Sequence, residues 1–112
     1  MVAPFFGGPP LPKLIYIELG GRGEQIRIAC AVAGMKFTDE RITIPEFIMK
    51  KKSGELPTGT MPVWVEDGDT YFQAATILRL IGARNGMYSM DSNICWHIDS
   101  AMEHIEDVFS ET

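Results

Sequence analysis

The chain has 112 residues, with 10 Lys+Arg against 15 Asp+Glu for a formal charge of −5, and is 46% hydrophobic and 22% charged. That is the composition of one ordinary soluble globular domain. The acidic balance excludes the basic footprint of a general nucleic-acid binder, and no stretch approaches the roughly 20 apolar residues of a membrane span.

Residues 1–12 contain four prolines and two glycines and read as an irregular or polyproline-like arm. This segment has neither the basic start nor the apolar core of a signal peptide. Phe5 and Phe6 on this arm either pack back on the domain or dock to a neighbour. Lys13 to Leu19 is a β-branched and aromatic run bounded by Pro12 and Gly20-Gly21, and is predicted as a strand. From Gly23 to Gly34, Ile26, Ala29, Cys30 and Ala33 fall at helical spacing, and Gly34 is placed to end the helix. Phe37 to Ile44 reads as a second strand, and Pro45 as the first turn of a short helix to about Lys52. Ser53 to Thr60 is predicted as a loop. Pro62 to Glu66 and Thr70 to Phe72 are predicted strands joined across Asp67-Gly68, a strong hairpin signal. Ala74 to Asn85 is predicted helical, with Ile77, Leu80 and Ile81 on one face and Gly86 at its end. Asp91 is a candidate N-cap for the last helix, whose apolar stripe is Ile94, Ile98, Met102, Ile105 and Phe109.

Cys30 and Cys95 are far apart, with no C-x-x-C motif, so a dithiol redox site and a small zinc site are both disfavoured. They read as free buried thiols in a reducing compartment. His97 and His104 lie outside the apolar stripe without a ligand cluster, so no metal is expected. With no signal or membrane segment, the cytoplasm is the default location.

The element order is strand-helix-strand-helix-strand-strand-helix, followed by one long helix. This makes an α/β chain with a four-stranded mixed sheet. Together with Lys13-Leu-Ile-Tyr16, Gly21-Arg-Gly-Glu24, Thr60-Met-Pro-Val63 and Asp67-Gly68 followed by Gln73-Ala74, it resembles the N-terminal half of a cytosolic glutathione S-transferase. The similarity is to the tyrosine-using sigma and mu type. It implies a thioredoxin-like domain over residues 13–86. Residues 87–112 then correspond to the first helix of the family's all-helical second domain, cut short at Thr112.

The same resemblance implies the site. Tyr16, near the end of the first strand, corresponds to the family's catalytic tyrosine; the alternative is a packed strand tyrosine. Pro62 is implied to be cis, leaving the backbone of Met61 to pair with the cysteinyl part of glutathione like an added strand. Gln73 matches the family's hold on the γ-glutamyl carboxylate. Ala74 departs from the usual serine and removes one hydroxyl donor. Phe47 and Lys51 correspond to an aromatic residue and a lysine at the glycine end, although the Lys50–Lys52 run also reads as a solvated face. Asp99 matches an acid that reaches the partner's γ-glutamyl amine across a dimer, and otherwise reads as a surface residue.

Two functions follow from the resemblance. One is binding of glutathione, as co-substrate, with activation of its thiol for conjugation to electrophiles, as in detoxification. The other is a non-catalytic structural subunit, or a fragment of a full transferase, within a larger assembly. A dimer, other homo-oligomer or partner protein is expected to cover the surface left by the missing helical domain.

Overall fold

The computed structural model describes residues 10–56 and 58–110. Phe5 and Phe6, and with them most of the expected arm, lie outside the described residues. The elements in chain order are β1 (Lys13–Ile17), α1 (Gly21–Ala33), β2 (Thr38–Ile42), α2 (Ile44–Ser53), β3 (Val63–Glu66), β4 (Asp69–Phe72), α3 (Ala74–Arg84) and α4 (Ser92–Ser110). The sheet order is β2-β1-β3-β4. β1 and β2 are parallel, and the other two pairs are antiparallel. This is the thioredoxin-like α/β arrangement that the sequence implies.

The strand alternation splits the core in two, because successive side chains point to opposite faces of a sheet. Leu14 stands opposite Trp64 across β1 and β3, and Ile15 opposite Val63. On one face, Leu14 and Trp64 join Ile26 and Cys30 of α1 and Ile77 and Ile81 of α3 in a fully buried apolar cluster. On the other face, Ile15, Val63, Ile42 and Leu56 form a second cluster, against which Phe47 of α2 packs.

Among the boundaries that differ from the sequence reading, two have a plain local reason. β2 ends at Ile42 because Thr43 is the N-cap of α2. Its hydroxyl accepts from the Glu46 N–H at 3.3 Å, while its own N–H donates to the Glu46 carboxylate at 2.8 Å, a reciprocal capping box that outcompetes strand extension. α1 begins at Gly21, two residues earlier than expected, with its first turn folded against the Tyr16 ring. At the hairpin, Asp67 and Gly68 both take positive φ, 51° and 81°, as the two-residue turn requires.

The last helix departs furthest. Asp91 caps it as expected, accepting from the N–H groups of Asn93 and Ile94. The face turned to the domain, however, carries Cys95, Ile98, Asp99, Met102, Glu106 and Phe109. Ile94 and Ile105 of the expected stripe are exposed. The helix is rotated so that two carboxylates face the domain in place of two isoleucines.

Candidate functional site

Four segments converge on a cleft of about 250 Å³. The loop before β3 supplies Thr60, Met61 and Pro62, and the start of α3 supplies Gln73 and Ala74. The first turn of α1 adds Arg22, and the fourth turn of α4 adds Glu106. The Met61-Pro62 peptide bond is cis, as the resemblance implies.

The start of α3 is built to attract an anion. Its first N–H groups have no partner within the helix, and Gln73 provides no side-chain cap. Ala74 is buried and brings no hydroxyl. The start of the helix lies at the cleft, where its dipole favours an anion. Gln73 itself holds φ 77° and ψ 113°. A non-glycine residue in such a conformation costs about 1–3 kcal/mol and is characteristic of functional sites.

Arg22 and Glu106 form a fork at the cleft wall. Arg22 Nε donates to Glu106 Oε1 at 2.9 Å and Oε2 at 3.1 Å, and Nη2 donates to Oε2 at 2.7 Å. The hydrogen bonds from Arg22 hold the Glu106 carboxyl below its ordinary range. The guanidinium also lies over the Phe109 ring, 5.4 Å from its centroid. The sequence reading quoted Arg22 within a family word but gave it no role, and it missed Glu106. The available signal was that Glu106 lies seven residues after Asp99, on the same helix face.

Tyr16 stands next to this cleft without being part of its wall. A Cβ on Gly21 would lie 2.8 Å from the Tyr16 hydroxyl, and one on Gly23 would lie 2.4 Å from the ring. Both glycines are thus required for the first turn of α1 to approach the tyrosine. The Arg27 guanidinium sits 5.8 Å from the ring centroid. Arg27 is itself buried, and holds the β1–α1 connection by donating to the Leu19 carbonyl at 2.9 Å. It also pairs with Glu24 and Asp39.

The remaining sequence candidates lie elsewhere. Phe47 packs on the second core cluster and is not brought to the cleft wall. Lys51 lies along Gly59, its Cε 3.1 Å from where a Cβ would stand, one residue before Thr60 on the rim. Asp99 is engaged within its own chain. It accepts from Arg79 Nε at 2.9 Å and from the Tyr88 hydroxyl at 2.9 and 3.0 Å. Arg79 accordingly holds its carboxyl below the ordinary range. Tyr88 Oη also lies 2.9 Å from the Cys95 sulfur. These bonds, to Cys95 first and Asp99 second, push the phenol up to about 12. Cys30 is a buried free thiol as expected, pushed up to about 11 by burial and then by Asp39. Among the described residues no cluster of three or more His, Cys, Asp or Glu could hold a metal, and no helix is long and apolar enough to cross a membrane.

No family model matches the chain. Its curated relatives include the probable glutathione S-transferase gst-36 of Caenorhabditis elegans, 31% identical over 100 residues, which are 89% of this chain and 47% of that protein. Another is glutathione S-transferase 1 of Ascaris suum, 30% identical over 103 residues, 91% of this chain and 48% of the relative. The chain spans about half the length of the curated relatives it matches. Among solved structures it is similar to a major nematode-specific transferase of C. elegans, with a TM-score of 0.82 and 26% identity over 90% of this chain and 49% of that one. The enzyme from Ascaris lumbricoides gives a TM-score of 0.80 and 29% identity, over 91% and 49%. The resemblance to glutathione S-transferases therefore holds in both sequence and fold.

Proposed function

We propose that this glutathione S-transferase-like chain binds glutathione in the cleft between the Met61-Pro62 loop and the start of α3, and activates its thiol for attack on electrophilic carbon. The observation that carries the reading is the meeting of the uncapped start of α3 with Met61 in one small cleft beside Tyr16. Glutathione is a peptide with a free carboxylate at its γ-glutamyl end. Its cysteinyl backbone pairs with Met61 as an added strand. Its γ-glutamyl carboxylate takes the donors of Gln73 and the first turn of α3. Lys51 serves the carboxylate at the glycine end. The thiolate is the reactive form of the cysteine, and a hydrogen bond from the Tyr16 hydroxyl favours it. The sulfur then bonds to the electrophilic carbon as the leaving group departs with the bond's electrons. Phe47, half-buried against the second core cluster, and Asp99, bonded to Arg79 and Tyr88, do not line the cleft and are given no role in this reading.

Residues 13–86 form the glutathione-binding unit in this proposal, and α4 (Ser92–Ser110), within residues 87–112, closes one wall. Association with a second copy or a partner chain belongs to the same reading, since Val32 of α1 and Ile94 and Val108 of α4 are exposed. A monomer by light scattering would remove that part.

One observation favours a second reading, a non-catalytic subunit with the same fold: Ala74 supplies no hydroxyl at the anion site. A hydrogen bond to a charged group is worth about 1.5–3 kcal/mol, so its loss weakens binding about tenfold or more. Calorimetry with glutathione separates the two readings. Binding that tightens in Ala74→Ser, with conjugation lost in Tyr16→Phe, supports the enzyme. Failure of both the natural chain and Ala74→Ser to bind leaves the scaffold. Full conjugating activity in Tyr16→Phe overturns the role of Tyr16.

A further inference from the structure

Arg27 does more than hold the β1–α1 connection. It lies in the second turn of α1 and is only 8% exposed. Its hydrogen bonds use two of its three guanidinium nitrogens. Nε donates to Asp39 Oδ1 at 3.1 Å, and Nη1 donates to the Leu19 carbonyl at 2.9 Å and to Glu24 Oε1 at 3.0 Å. Nη2 is fully buried and has no hydrogen-bond partner among the described residues. A buried N–H left without an acceptor is costly, and the Tyr16 ring offers what the polar groups do not. Its centroid is 5.8 Å from the guanidinium carbon, within the range where an aromatic face attracts a cation, and burial strengthens that attraction. An aromatic face also accepts an N–H weakly. We infer that Arg27 is a positioning residue for Tyr16: its buried guanidinium grips the ring and holds the hydroxyl where it meets the glutathione thiolate. The inference rests on the glutathione-binding reading above.

Two other cations lie near this ring. Arg22 is within electrostatic reach of Tyr16, but its guanidinium is directed to Glu106 and Phe109. Arg41 stands beside Tyr16 in the β1–β2 register, but its guanidinium is directed to Asp39 and Glu18. Asp39, Glu24 and the Leu19 carbonyl anchor Arg27 and fix the plane of its guanidinium. A Cβ on Gly21 or Gly23 would collide with Tyr16. The glycine backbone thus sets how close the ring can come, and the guanidinium supplies the attraction that keeps it there. Arg27 does not line the cleft, so it acts on a bound ligand through Tyr16.

The test is a titration of the bound glutathione thiol, read from its thiolate absorbance in the ultraviolet, on the full chain with saturating glutathione. Tyr16→Phe is expected to raise that thiol toward the ordinary cysteine value of about 8.5. Arg27→Gln is expected to move it the same way by about one unit, a tenfold loss of thiolate at low pH. There kcat falls in step, while KM for glutathione is unchanged. In a Tyr16→Phe background, Arg27→Gln is expected to add nothing. A thiol unmoved by Arg27→Gln overturns the inference. So does an equal shift in the Tyr16→Phe background, because Arg27 would then not act through the phenol. A second measurement needs no substitution at Arg27. In NMR spectra of the unsubstituted chain, the Arg27 guanidinium protons are expected to carry a ring-current shift that persists in Tyr16→Phe and disappears in Tyr16→Leu. A spectrum without that shift overturns the inference even where Arg27→Gln fails to fold. Glutathione that fails to bind the unsubstituted chain, or a bound thiol that Tyr16→Phe does not raise, overturns the underlying reading and this inference with it. A thiol that depends on Tyr16 and not on Arg27 overturns the inference alone.

Discussion

Where α1 and α3 meet the sheet, the contact is a continuous apolar cluster of Leu14, Ile26, Cys30, Trp64, Ile77 and Ile81. Helix α4 is longer than either helix, yet none of its residues is buried. It is tied down by the Arg22–Glu106 fork, the Arg79–Asp99 pair and the Tyr88 hydroxyl. The two regions thus differ in the kind of force that holds them. Burying a large apolar side chain contributes about 1.5–3 kcal/mol, while a part-exposed ion pair such as Arg22–Glu106 contributes about 0–1 kcal/mol. The first region sets global stability. The second positions one wall of the cleft with little energy behind it, the regime in which local opening occurs without unfolding.

The largest expected effects lie in the core. Trp64 is fully buried and its indole N–H donates to Glu66 at 3.0 Å. Trp64→Ala is expected to cost about 3–5 kcal/mol, read as a drop in the urea midpoint at an unchanged slope. A loss under 1 kcal/mol would show that the α1–α3 cluster is not the main source of stability. Next is Gly23→Ala, whose new Cβ would meet the Tyr16 ring at 2.4 Å. Overpacking of this kind costs about 1–3 kcal/mol, against at most about 1 kcal/mol gained in helix propensity. A net loss is therefore expected, together with reduced conjugation if Tyr16 serves the thiolate.

This contrast also explains which parts were legible in the sequence. The sheet was readable because the β-branched and aromatic run through Leu14 to Ile17 and the Asp67-Gly68 turn are local signals that the core reinforces. The end of β2 was misread because the Thr43–Glu46 capping box competes with β-branched propensity at Thr43 and Ile44, and the cap prevailed. Met61, Pro62, Gln73 and Ala74 were found through short words, and the fold brings those four together. Phe47 and Asp99 came from the same resemblance; within this chain Phe47 packs half-buried against the second core cluster and Asp99 pairs with Arg79. Glu106 was missed because hydrophobic periodicity shows where apolar residues gather, not which face docks. On α4 the docking face mixes Ile98, Met102 and Phe109 with Asp99 and Glu106, which pair with two arginines on other elements.

A smaller effect is expected from the polar ties. Asp99→Asn removes a charge from Arg79 and is expected to accelerate amide exchange along α4 several-fold, while leaving exchange in β1 and β3 and the global denaturation midpoint unchanged. The same ties set a pH window. Asp99 and Glu106 have lowered folded values. Their contribution is present above the ordinary carboxylate value of about 4 and is lost as pH falls through those lowered values. Tyr88 is raised to about 12, so its contribution is full below the ordinary phenol value of about 10 and is lost as pH rises through about 12. NMR shifts of α4 are expected to stay native between about pH 4 and pH 10, and to change outside that range before the sheet does. A single transition shared by α4 and the sheet would mean that the helix is part of the cooperative core.

The smallest effect is the one that most directly distinguishes the two ways of reading α4. If the apolar stripe docked the helix, Ile94→Gln and Ile105→Gln would each remove a packed side chain and cost about 2 kcal/mol or more. In this structure both side chains are open to solvent, Ile94 at 53% and Ile105 at 44% exposure. Substitutions at such positions normally change stability by no more than about 0.5 kcal/mol in either direction, and glutamine has a helix propensity at least as good as isoleucine. The expected result is thus a near-neutral change in both variants, with α4 exchange rates unaltered. At the adjoining face, Met102→Gln is expected to speed exchange along α4, because Met102 is half-buried against the domain. Sensitivity of Ile94 and Ile105 as large as that of Met102 would return the helix to the full face its hydrophobic periodicity favours and withdraw Glu106 from the cleft.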